Sequence, residues 1–165
     1  MAKEPKTFRF KTKETIERAK ENKPRLIGSS IVTEGKVISW SNRIESVKVI
    51  REGIPYSSID VISRKLNIPI KHTLQIVGLA QTTYNRKKTA NALLDPRNSE
   101  LILRIKELID FGVEVFNSEE SKFQVWLTKP NFSLGGARPL DYLDTISGIN
   151  EVKFCLNRIE HGNLA

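Results

Sequence analysis

A length of 165 residues and a hydrophobic content of 39% suit one domain, or two small ones packed closely together, with a buried core. The single cysteine, Cys155, excludes an intramolecular disulfide and cannot alone build a thiolate metal site. No apolar run approaches the length of a membrane span, and lysine-rich Met1 to Phe10 has no apolar signal region after it, so the expectation is a cytoplasmic protein away from membranes.

The formal net charge of +8 favours a polyanionic partner, with nucleic acid first. Much of the excess lies in one arm. Met1 to Arg25 carries nine Lys or Arg (Lys3, Lys6, Arg9, Lys11, Lys13, Arg18, Lys20, Lys23, Arg25) against four glutamates, which leaves +5 of the +8 there. Such a run is either a solvated tail or an arm that touches a nucleic-acid backbone.

Helix signals dominate the rest. Ser29 to Trp40, with Ile31, Val32, Val37 and Ile38 around Glu34 and Gly35, fits a short hairpin or an irregular lead-in. From Ser41 to Glu52, Ile44, Val47 and Ile50 recur at helical spacing until Gly53 and Pro55. Ser57 or Ser58 is a candidate cap for a second helix, whose stripe of Ile59, Ile62 and Leu66 ends before Pro69. A third helix is expected from Ile70 to Val77.

The stretch from His72 to Lys88, HTLQIVGLAQTTYNRKK, reads as helix, tight Gly78-Leu79-Ala80 turn, and a second helix from about Gln81 to Thr89. That spacing fits a helix-turn-helix, a pattern that structural α-hairpins also show. The glycine permits a left-handed turn, Leu79 packs between the helices, and the second helix presents polar side chains to a major groove. The DNA-binding candidates are Gln81, Thr82, Thr83, Asn85, Arg86, Lys87 and Lys88. Asn and Gln pair with adenine and Arg with guanine, while Arg86, Lys87 and Lys88 also suit phosphates. Tyr84 is placed in the core in preference to the DNA surface.

A long helix is expected from about Asn98 to Phe116. Leu101, Ile105, Leu108 and Val115 share one face, widened by Ile102, Ile109, Val113 and Phe116. So broad a stripe closes the bundle, joins two halves of the chain, or supports a dimer. A shorter helix from near Ser118 buries Phe123, Trp126 and Leu127 and stops before Pro130. Asn131 to Thr145, NFSLGGARPLDYLDT, reads as a loop and a short helix in which Pro139 takes the first turn ahead of Leu140 and Leu143. Without a following Gly-Lys-Ser/Thr, Gly135-Gly136 is no nucleotide loop. The last helix, from about Gly148 to Glu160, carries Ile149, Val152, Leu156 and Ile159, with Gly162 placed to end it.

In this order the elements resemble the Xre/MbcA/ParS family of antitoxins, over about Arg43 to Ala165. The resemblance is strongest in Trp126-Leu127, Pro130-Asn131, Leu134-Gly135-Gly136, Pro139-Leu140-Asp141, Leu143-Asp144-Thr145, Gly148, Val152, Leu156 and Arg158 to Gly162. Gly78, Thr83, Arg86, Ser99 and Arg104 match its N-terminal part. The chain departs from it at Thr82, where arginine is common, at Leu101, where arginine is frequent, at Asn117, where glycine is usual, and at Ala137-Arg138, where arginine-threonine is usual.

The resemblance implies an all-α fold: a helical bundle with a helix-turn-helix, followed by a small C-terminal helical toxin-binding domain. The expected divisions are a basic arm and lead-in over 1–40, a DNA-binding and dimerisation region over 41–117, and the toxin-binding domain over 118–165. It further implies a RES-domain toxin that attacks NAD as partner, repression of the chain's own operon on double-stranded operator DNA, and a homodimer in a bacterial cytoplasm. Asn157, Arg158, Glu160, His161 and Gly162 are then the toxin-binding candidates. Read without the family, Arg158 and Glu160 are a solvated face and His161 is a helix-end residue favoured by the macrodipole.

Catalysis ranks below binding, and no cofactor or metal is expected. His72, His161 and Cys155 do not suggest a convergent nucleophilic or metal site, Cys155 lying beside an apolar stripe. The competing reading is a stand-alone helix-turn-helix transcriptional regulator with no toxin partner.

Overall fold

The structure, a computed structural model, describes residues 28–33 and 35–161. The basic arm from Met1 to Arg25, and Gly162 with the three residues after it, lie outside the described residues. The fold is mostly helical, and the segment left open between hairpin and lead-in is a hairpin. Strands β1 (Ser29–Thr33) and β2 (Lys36–Trp40) pair antiparallel with Ile31 opposite Ile38. Alternation decides which face packs: Ile31, Ile38 and Trp40 are buried, while Val32 and Val37 face outward.

Helix α1 (Arg43–Glu52) is capped by Asn42, whose side-chain oxygen accepts the Glu45 amide at 2.9 Å. Its expected apolar stripe divides. Ile50 is buried, whereas Ile44 is 84% exposed and Val47 41% exposed, because the inner positions also take Ser46, whose hydroxyl bonds back to the Arg43 carbonyl. Helix α2 (Ser58–Leu66) starts without a side-chain cap. Neither Ser57 nor Ser58 fills that role: Ser57 is itself helical, and the buried Ser58 hydroxyl has no hydrogen-bond partner. A tight turn over Pro55 to Ser57 supplies the first acceptors, the amides of Ser58, Ile59 and Asp60 bonding to the carbonyls of Pro55, Tyr56 and Ser57.

Helices α3 (Ile70–Val77) and α4 (Gln81–Thr89) keep the bounds the sequence predicts. Helix α5 (Pro96–Val115) starts two residues earlier than expected, because Asp95 accepts the Asn98 amide at 3.0 Å and Pro96 takes the first turn. It packs against β1, α1, α2, α3 and both helices of the C-terminal half, α6 (Glu120–Thr128) and α7 (Ile146–Glu160). Of the three roles open to its broad stripe, two are seen within the one chain: it closes the bundle and joins the halves. Ile102, Leu103 and Ile105 are fully buried within the one protomer.

At the α5–α6 joint, Asn117 and Ser118 have φ of 55° and 66°. Asn117 thus stands at a left-handed position, a conformation that glycine or asparagine adopts most readily. The turn delays α6 to Glu120. Phe123, buried on α6, lies directly over Gly112 of α5, and Phe116 and Trp126 close around it with centroids 6.0 to 6.2 Å apart. Between α6 and α7 run two short 3-10 helices, Phe132–Leu134 and Pro139–Tyr142, the second being the short helix that Pro139 opens. Thr145 caps α7 by accepting the Gly148 amide at 3.1 Å, so that helix begins two residues early.

Candidate functional site

Two surfaces present the sequence-predicted residues, one on each half. In the first, Gly78 sits at φ 74°, ψ 32°, and the Leu79 amide reaches back to the Leu74 carbonyl at 2.9 Å. This is a glycine-terminated helix end that turns α4 away from α3, with Leu79 packed onto the core. Gln81, Thr82, Asn85, Arg86 and Lys87 are exposed along α4, and Thr83 is half-buried. Gln81 donates to the Asn85 side-chain oxygen at 3.0 Å, which aligns the two amides one turn apart on the outward face. Ala80 offers no side-chain cap, so the first turn of α4 keeps amides available to a phosphate.

Lys88 behaves differently. Its ammonium lies 2.8 Å from Asp60 of α2 and 5.5 Å from the Tyr84 ring centroid. Tyr84 is buried, as the sequence suggested, and its hydroxyl donates to the other Asp60 oxygen at 2.6 Å. Burial, reinforced by that hydrogen bond, pushes the Tyr84 phenol up to about 12, and the bond to Asp60 raises Lys88 above its ordinary value. Lys88 therefore braces α4 against α2. Ser99 is buried, its hydroxyl accepting the Ile54 amide at 3.3 Å, and the half-buried Arg104 pairs with Glu107 at 2.9 Å and Glu100 at 3.7 Å.

The second surface joins the last turns of α7 to the loop before it. Asn157, Arg158 and Glu160 are half-buried and His161 is exposed. Arg158 donates to the Ser133 hydroxyl at 3.2 Å, which ties α7 to the loop. That loop is closely built. Asn131 accepts the Ser133 and Gly136 amides at 2.9 Å each, and Gly135 and Gly136 take φ of 65° and 85°. Arg138 grips Asp141 with two bonds, at 2.9 and 2.6 Å, and holds that carboxyl below its ordinary value. At its tip Phe132 is 97% exposed. Sequence reasoning passed over Phe132, although an aromatic between an asparagine-capped turn and a glycine pair is the available signal.

Cys155 is buried, and burial pushes its thiol up, away from the nucleophilic thiolate. His72 is exposed at the start of α3, where its amide bonds to the Pro69 carbonyl. Among the described residues, no three His, Cys, Asp or Glu stand close enough to hold a metal ion, and no helix is long and apolar enough to cross a membrane.

The family model for the antitoxin Xre-like helix-turn-helix domain matches residues 45–105, and that for the antitoxin Xre/MbcA/ParS C-terminal toxin-binding domain matches residues 112–162. The chain is 30% identical to antitoxin Xre of Photorhabdus laumondii over 114 residues, covering 69% of this chain and 77% of that protein. It belongs to the Xre/MbcA/ParS family of antitoxins. Antitoxin Xre of Yersinia enterocolitica is also 30% identical to this antitoxin, over 119 residues, 72% of this chain and 78% of that one. The Prs ADP-ribosylating antitoxin of a Sphingobium species is 26% identical over 138 residues, 79% and 87% of the two chains. A chain of the M. tuberculosis MbcT–MbcA toxin–antitoxin complex shares the fold, with a TM-score of 0.52 at 16% identity, over 67% of this chain and 96% of that one.

Proposed function

We propose that this antitoxin neutralises a RES-domain toxin that attacks NAD, covering its active-site entrance with the C-terminal region, and represses its own operon as a dimer with α4 in the operator major groove. The observation that carries the reading is the separation of two exposed polar surfaces, α4 on one half and the α7–Phe132 loop surface on the other, joined through the buried α5. One partner can then occupy each surface. The name of the Sphingobium relative supports NAD chemistry in the toxin, since ADP-ribosyl transfer draws on NAD. A two-fold dimer would set two α4 helices against a palindromic operator.

Deletion from Thr145 onward is a poor test, because Val152 and Leu156 of α7 are fully buried and α7 packs along α5. Paired surface variants are the cleaner choice. The gene is co-expressed with its genomic neighbour, with growth and cellular NAD followed, and binding to a duplex spanning the shared promoter is measured in parallel. The expected result is that Arg86→Ala impairs promoter binding and spares growth rescue, while His161→Ala with Asn157→Ala does the reverse. A neighbour that is harmless alone would favour the stand-alone regulator.

A further inference from the structure

We propose that the cleft between the β-hairpin turn and the C-terminal half of α4 seats a backbone phosphate of the DNA duplex, with Lys36 as its cation. The inference rests on the DNA-binding reading above and adds a contact outside the helix-turn-helix. The cleft has a volume of about 630 Å³ and is lined by Thr33, Lys36, Ser57, Asn85, Lys88 and Thr89 among others. Among the described residues, every polar side chain in that lining is a hydroxyl, an amide or an ammonium, and none is a carboxylate. A smaller cleft of about 280 Å³ continues it past Thr33, Ser57 and Lys88 to Arg64 and Asp60. Among the described residues that line the two clefts, Asp60 is the carboxylate, and both its oxygens are engaged, one by Tyr84 and one by Lys88. An anion in the larger cleft therefore meets donors first.

Three features make the cleft a continuation of the α4 surface. Asn85 belongs to both: it bonds to Gln81 on the outward face and lines the cleft. The hairpin is fixed to the core and so holds Lys36 in place. Trp40 donates to Glu107 of α5 at 2.8 Å, Ser29 donates to Asp110, and the Thr33 hydroxyl closes the turn on the Lys36 carbonyl at 3.3 Å. Lys36 is exposed and forms no ion pair among the described residues, whereas Lys88 across the cleft is already paired. In a duplex, phosphates flank the groove that a recognition helix enters, and contacts to them orient the protein without reading sequence.

The test measures binding of the full chain to a duplex spanning its own promoter, and to an unrelated duplex of equal length, across a series of salt concentrations. Lys36→Ala is expected to weaken both complexes by a similar factor and to reduce the slope of log K against log salt by about 1, the value for one phosphate contact. Lys36→Arg is expected to keep the wild-type slope. A wild-type slope and affinity in Lys36→Ala, with the wild-type protein binding normally, overturns the inference and leaves α4 in place. Failure of the wild-type protein to bind either duplex removes the DNA-binding reading itself. Inorganic phosphate is titrated without DNA, followed by the amide resonances of Lys36 and Asn85. Saturable phosphate binding together with an unchanged DNA slope assigns the cleft to a small free anion and also overturns the proposal.

Discussion

Tyr84 and Asp60 fasten the recognition helix to the bundle: the phenol donates to the carboxylate at 2.6 Å, from one side of a carboxylate whose other oxygen takes Lys88 at 2.8 Å. The outward face of α4 is almost wholly polar, so the helix has little apolar area of its own with which to dock. Tyr84 is its one buried residue. Tyr84→Phe keeps the ring and deletes the bond to a charged acceptor, and is expected to cost about 1.5–3 kcal/mol in denaturant unfolding. An unfolding midpoint equal to wild type would mean that the ring alone holds α4.

The same clamp sets an alkaline limit. Burial and Asp60 lift the folded-state pKa of Tyr84 to about 12, above the ordinary value near 10 of an unfolded chain, and Lys88 is raised by its bond to Asp60. Both shifts have one sign: the folded state holds these protons more tightly. Their contribution is complete below pH ~10 and is lost as pH rises toward ~12. Phenolate absorbance is expected to show a late component that Tyr84→Phe removes, with the variant losing less stability than wild type over that window.

Two glycines, one at the end of α3 and one in the first turn of α7, resist replacement for different reasons. At Gly78 a methyl group meets nothing within 4 Å, so Gly78→Ala bears only the strain of a positive φ, about 1–2 kcal/mol. At Gly148 a methyl group would lie 2.1 Å from the Tyr142 carbonyl oxygen, a backbone atom that cannot swing away. Gly148→Ala is expected to lower Tm by more than Gly78→Ala, and by an amount typical of overpacking at about 1–3 kcal/mol or above. The reverse order would mean that the start of α7 yields easily.

Arg86 has the exposure that base readout requires and makes no ion pair among the described residues. Arg86→Ala is expected to weaken operator binding by about 1–3 kcal/mol and to relax preference at one base pair. Lys87→Ala, one residue on, is expected to weaken operator and unrelated DNA alike. Equal losses on both duplexes for Arg86→Ala would place it on phosphate instead.

What could be read beforehand follows from how locally each feature is determined. The bounds of α3 and α4 were legible because Pro69, Gly78 and the polar run after it act within a few residues. The start of α2 was not, since its amides are satisfied by backbone carbonyls in a turn held by Tyr56 to Ala92 and Leu94 to Ile54, bonds that span nearly forty residues. Ile44 and Val47 have a helical period without burial, because periodicity gives a face but not what covers it. Among the site residues, Lys88 looked like its neighbours Arg86 and Lys87; only the position of Asp60, far earlier in the chain, separates them.

Phe132 is held where folding gains nothing from it. At 97% exposure it buries no area within the chain, yet its turn is fixed by Asn131, by the positive-φ Gly135 and Gly136, and by the bond from Arg158 to Ser133. An aromatic ordered in advance loses little entropy on binding, and fully burying such a ring is worth about 1.5–3 kcal/mol. Phe132→Ala is therefore expected to leave Tm unchanged and to weaken binding to the toxin partner by tenfold or more. Phe154→Ala, removing another exposed aromatic from the same half, is the comparison that separates an anchor from general apolar area. Calorimetric titration of the purified pair, with growth rescue in cells, measures both. If Phe132→Ala binds and rescues like wild type, the toxin does not sit on the loop, and its contacts are confined to the last turns of α7.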